Sequence, residues 1–185
     1  RCVELNDKDV DAHVLLGRLL SISRDHQSAA GEFEKVLALD RENEEAYLFL
    51  IDLFVAQKNF GKAREVADRL LQQAPQSVLG HYAMGRIQLE MERLPQAEAY
   101  FKRAVELKPD FYTAQVYLAH AYEQQKLWDK AIQIYAVLLT QRPEDRLIEF
   151  RMGQAQMAKG DYVKAIPIFE ASLRQPDSTS STEPF

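Results

Sequence analysis

Apolar and polar positions along the 185 residues recur with a period of 34. Taking Val10 as the first residue of a unit, the register runs without gaps through 10–43, 44–77, 78–111, 112–145 and 146–179, and the fifth unit keeps its pattern to residue 174. The twentieth column reads Ala29, Ala63, Ala97, Ala131 and Ala165. Chance agreement of five residues in one column is below about one in a thousand, even for a residue as common as alanine. The seventh column holds Leu16, Leu50, Met84, Leu118 and Met152, and the eighth holds Gly17, Ile51, Gly85, Ala119 and Gly153. The twenty-fourth holds Phe33, Ala67, Phe101, Tyr135 and Phe169.

Within a unit, apolar residues at positions 7, 8, 10 and 11, then at 20, 24, 27 and 28, follow helical spacing and predict two amphipathic helices. Short polar turns such as Lys58-Asn59-Phe60, Lys126-Leu127-Trp128 and Gly160-Asp161-Tyr162 fit only an antiparallel helix pair. Pro75, Pro109 and Pro143 at position 32 close the second helix, because proline lacks an amide hydrogen and restricts the residue before it. Small residues at 8 and 20 let the paired helices cross closely. One pair cannot cover its own apolar faces, so stacked pairs, an all-α solenoid with mostly local contacts, are expected.

These columns resemble the tetratricopeptide repeat, whose pattern has small residues at 8, 20 and 27, aromatics at 11 and 24, and proline at 32. Units three and four match best, through Gly85, Ala97, Phe101, Ala104 and Pro109, and through Leu118, Ala119, Tyr122, Ala131, Tyr135 and Pro143. The resemblance implies a right-handed superhelix of five tandem units. Ile51 and Ala67 depart from it together, as if bulk had moved across one interface, and Gln88 and Gln156 stand where position 11 usually has a ring. Residues 1–9 align with the end of a preceding unit, and 175–185 form a polar, proline-flanked tail expected to be mobile. Further repeats, a partner or a second copy would then cover the last helix, and self-association through the two ends is one reading of that arrangement.

Composition narrows the function. A net charge of -5 gives no footprint for phosphate backbones, so no nucleic acid is expected as partner. No apolar run reaches the roughly 20 residues of a membrane helix. The single cysteine, Cys2, excludes an internal disulfide and fits a reducing compartment without requiring one. The histidines at 13, 26, 81 and 120 never fall three or four residues apart, so neither metal nor cofactor is expected. His13 and His81, at position 4, read as packed side chains. The segment Gly80-His81-Tyr82-Ala83-Met84-Gly85-Arg86-Ile87 imitates a phosphate loop but lacks its lysine and hydroxyl, and its glycines fall on repeat positions 3 and 8. Nothing in the chain has the look of catalysis.

In tetratricopeptide repeats, ligands lie in a concave groove lined by the first helices at positions 2, 5, 6, 9, 12 and 13. The resemblance therefore implies a partner-binding groove of Val14, Arg18, Leu48, Phe49, Asp52, Tyr82, Arg86, Val116, Tyr117, His120, Phe150 and Arg151. Aromatics interleaved with arginine suit a protein or peptide with apolar anchors and some acidic residues. The asparagine and lysine set of carboxylate-clamping repeats is missing, since Asn6, Asn43 and Asn59 fall at unit ends or turns. The expected function is a non-catalytic scaffold for protein partners; the rival is a substrate-recruiting arm of a larger enzyme or assembly.

Overall fold

The computed structural model describes residues 9 to 174; Cys2, the segment before Asp9 and the tail from 175 lie outside the described residues. Ten helices follow one another: α1 (Val10–Ile22), α2 (His26–Leu39), α3 (Glu44–Ala56), α4 (Phe60–Gln73), α5 (Val78–Glu90), α6 (Leu94–Leu107), α7 (Tyr112–Gln124), α8 (Trp128–Gln141), α9 (Arg146–Lys159) and α10 (Tyr162–Arg174). Odd-numbered helices start 34 residues apart, at 10, 44, 78, 112 and 146. The described residues contain no strand, and the class is an all-α helical repeat. They divide between Ala114 and Gln115 into two compact units, the first holding α1 to α6 and the second α8 to α10 with most of α7.

In the first unit, α1 packs on α2, α3 on α4 and α5 on α6, and each pair packs on the next through α2 with α3 and α4 with α5. Its core is continuous, from Ala29, Phe33 and Val36 through Leu50, Ile51 and Leu70 to Met84 and Ile87. In the second unit, α8 and α10 both pack on α9, over buried Ala131, Tyr135, Leu138, Ile148, Ala155 and Ala165.

One contact explains two columns. A β-carbon added at Gly85 would lie 2.6 Å from Cδ1 and Cε1 of Phe101, and one at Gly17 would lie 2.7 Å from Cε1 of Phe33. At Gly153 the Phe169 ring would be 3.1 Å away. Position 8 therefore gives its volume to the ring at position 24. Repeat two carries Ile51 opposite Ala67, both fully buried, so the same space is filled from the other side, as volume-conserving packing allows. The phosphate-loop imitation also resolves into packing, since a β-carbon at Gly80 would meet Leu71 Cδ2 at 2.8 Å.

Helix ends are defined by local hydrogen bonds. Asp9, Asp25, Asn43, Asn59, Ser77 and Asp145 each accept from a first-turn amide as N-caps. Asn43 and Asn59 are thus spent on the backbone. The turn inside each helix pair closes with a six-residue bond, seen in Asp25 N to Leu20 O at 3.0 Å, Arg93 N to Gln88 O at 2.9 Å and Asp161 N to Gln156 O at 2.9 Å. That turn puts position 15 in the left-handed region: Arg24, Lys58, Glu92 and Lys126 have φ of 65°, 56°, 57° and 59°, and Gly160 has 92°.

Candidate functional site

The first helices carry a second apolar face, only partly buried, beside the one their pairs enclose. Positions 7, 8, 10 and 11 turn into the core, while positions 2, 5, 6 and 9 repeat one helical face beside them. In the first unit this face holds Val14, Leu48, Phe49 and Tyr82, all half-buried, with Arg18 and Asp52 exposed. The rings are supported from below: Phe49 stacks on Phe33 at 5.0 Å between centroids, and Tyr82 meets Phe111 edge-on at 5.3 Å and Phe101 at 6.2 Å. Ala83, in the same column as Phe49, is fully buried.

The cations of this face are engaged. Arg18 lies 5.6 Å above the Phe49 ring and Arg86 5.7 Å above the Tyr82 ring. Arg86 also donates to Asp52 Oδ1 at 2.5 Å. The pair joins position 9 of one repeat to position 9 of the next, opposite charges 34 residues apart in the sequence. That spacing is the signal that could have revealed it beforehand.

In the second unit, Val116 and Tyr117 are half-buried and Phe150 is 42% exposed, its ring edge-on to Phe169 at 5.4 Å. Glu123, only 16% exposed at its side chain, faces His120 Nδ1 at 3.3 Å and Arg151 Nη1 at 3.6 Å. Beneath them Tyr135 is fully buried. Burial first, then the negative charge of Glu123, raise its phenol above the usual range, and Arg151 offsets part of this. Glu123 therefore neutralises Arg151 locally, a role the sequence reading did not assign to it. Beside this cluster is an open cleft of about 470 Å³ walled by Glu123, Lys126, Trp128, Gln154 and Met157. The first unit has a cleft of about 440 Å³ at its inter-repeat turns, between Glu44, Ser77, Leu79, Lys108 and Phe111.

The histidines at position 4 serve packing. His13 is 3% exposed and its Nδ1 donates to Glu32 Oε2 at 2.5 Å. His81 is half-buried, with Nε2 3.1 Å from the Pro75 carbonyl oxygen. Among the described residues no group of three or more histidine, cysteine or acidic side chains could hold a metal ion. Nor is any helix among them long and apolar enough to cross a membrane.

An array of helix pairs whose first helices carry a half-buried apolar and aromatic face defines a helical-repeat protein. Two tetratricopeptide repeat profiles match, over residues 22–87 and 82–146, together more than half of the chain. The chain belongs to the tetratricopeptide repeat family. It is 22% identical to anaphase-promoting complex subunit 3 of Schizosaccharomyces pombe, over 89% of this chain and 25% of that protein. It is 30% identical to the antiviral innate immune response effector IFIT1 of Homo sapiens, over 98% of this chain and 45% of that protein. The chain thus spans a quarter to under half the length of these relatives. Among solved structures, MamA 41-end from Desulfovibrio magneticus RS-1 is 17% identical, with a TM-score of 0.78 over 96% of this chain and 99% of that one. YrrB, described as a TPR protein with an unusual peptide-binding site, is 22% identical, with a TM-score of 0.69 over 95% of this chain and 91% of that one. These two likenesses concern the fold.

Proposed function

We propose that the chain holds a protein or peptide partner on the position 2, 5, 6 and 9 faces of its first helices, without turnover. The observation that carries this reading is the half-buried rings at positions 5 and 6, Phe49 and Tyr82 in the first unit and Tyr117 in the second, each with part of its surface left open. Rings fixed from below lose little conformational freedom on binding, which is what makes tyrosine and arginine frequent anchors. Half-burial also means that these side chains serve two ends, supporting the array and offering one edge to a ligand.

The test is a titration with an isolated partner. Once a partner has been captured and purified, Tyr82→Ala and Tyr117→Ala should each weaken it by about 1 to 3 kcal/mol with helical content unchanged. Lys102→Gln and Lys130→Gln, on second helices, are the controls. Lys102 donates to Glu98 at 2.7 Å and Lys130 sits 5.1 Å above the Tyr122 ring, both on second helices, so neutral replacements there should leave affinity intact. Loss of affinity on the lysine changes with none on the tyrosine changes would move the working surface to the second helices.

A further inference from the structure

The charges on the first unit's face decide what kind of partner it fits. Over positions 2, 5, 6, 9, 12 and 13 of its three repeats the sequence places four acids, Asp11, Glu45, Asp52 and Glu90, against two cations, Arg18 and Arg86. Both cations are occupied within the unit, Arg86 by Asp52 and the Tyr82 ring and Arg18 by the Phe49 ring. Asp11, Glu45 and Glu90 are exposed and make no ion pair among the described residues. Asp11 and Glu45 stand in first turns, where the helix dipole favours an acid, but Glu90 is the last residue of α5, where no basic residue offsets it. An apolar strip of Val14, Leu48 and Tyr82 is thereby bordered by exposed carboxylates outside any ion pair among the described residues.

We infer that this face takes a basic amphipathic segment of a partner protein, apolar side chains laid on the strip and lysine or arginine reaching Asp11, Glu45 and Glu90. This rests on the first-helix face being the working surface. It reverses the acidic partner that the arginines alone suggest, because those arginines are already answered inside the array. Asp52 is a determinant: by pairing with Arg86 it neutralises one of the two cations that would reward an acidic ligand and leaves Arg18 outnumbered by Asp11, Glu45 and Glu90.

Three synthetic peptides of identical apolar spacing test it, with lysine, glutamine or glutamate at every polar position, titrated against the full chain by fluorescence anisotropy. At low salt the lysine peptide should bind about tenfold or more tighter than the glutamate peptide, with glutamine between. The gap should narrow at about 0.5 M salt, where exposed charges are screened. Glu45→Gln combined with Glu90→Gln, both exposed and so with little consequence for folding, should cost the lysine peptide several-fold and leave the glutamine peptide unchanged. Asp52→Asn should shift preference toward the glutamate peptide. A glutamate peptide that binds the parent as tightly as the lysine peptide overturns the inference; if that binding still falls with Tyr82→Ala, the face remains the working surface. If no peptide binds, or lysine-peptide binding ignores Tyr82→Ala, the inference and the face fall together.

Discussion

Exchanging the contents of positions 8 and 24 tests the packing rule that links the repeats. In α5 and α6, Gly85 faces the buried Phe101 ring, and a β-carbon on Gly85 would come within 2.6 Å of it. Gly85→Ile alone should overpack this crossing, at about 1 to 3 kcal/mol or more. Phe101→Ala alone removes a side chain that is 0% exposed, at about 3 to 5 kcal/mol. The double variant recreates the Ile51 and Ala67 arrangement of repeat two, so the isoleucine enters the space the ring left. Its loss should fall short of the sum of the single losses by up to about 3 kcal/mol. Urea titrations followed by far-UV circular dichroism give the three midpoints. Hydrogen exchange over α5 and α6 confines the reading to the altered pair, since repeat arrays need not unfold in one step. Additivity within about 0.5 kcal/mol would refute a shared volume for the two columns.

Ala97 is fully buried where α6 meets its partner, so Ala97→Leu should lower stability by about 1 to 3 kcal/mol in the same titration. Burial raises the Glu32 carboxyl, but hydrogen bonds from Lys35 and His13 outweigh it and hold the group below 4.5. Its contribution is therefore present above the ordinary carboxylate range and lost as pH falls through the lowered folded value, so on acidification below that range the melting temperature of the parent should drop more steeply than that of Glu32→Gln. Pro167 lies exposed inside α10 and withholds an amide from the helix ladder; Pro167→Ala should raise protection from hydrogen exchange across α10, and unchanged protection would show that the helix end, not the proline, limits it.

The sequence made the fold legible because packing constraints repeat. Gly17, Gly85 and Gly153 stand out in one column and their rings in another, and five recurrences turn a weak preference into a register. Even the exception at Ile51 and Ala67 is readable as a pair. The site was legible only as a face. Side chains at positions 5 and 6 were placed on it by the family resemblance, but their half-burial depends on Phe33, Phe111 and Phe169, which come from other helices or from the turn before α7. Long-range charge pairs were missed for the same reason: Arg86 reads as a free cation until Asp52 is brought beside it, and Glu123 reads as surface charge until Arg151 and Tyr135 close around it. Four left-handed turn positions were also invisible, because arginine, lysine and glutamate occupy places where glycine would announce the conformation.

Those turns offer a way to vary scaffold stability without altering the candidate binding face. Arg24, Lys58, Glu92 and Lys126 are exposed, spaced 34 residues apart, and each holds a β-carbon where the left-handed backbone disfavours one. Glycine at each should relieve about 0.5 to 1 kcal/mol after the flexibility it adds to the unfolded chain is counted. Substituting one, two, three and then all four would give a graded series of proteins with unchanged first-helix faces and stepwise more stable scaffolds. Affinity plotted against the number of glycines then separates two modes of recognition: a level line means the face is preformed, and a rising line means that part of the binding energy goes into setting the repeats in order.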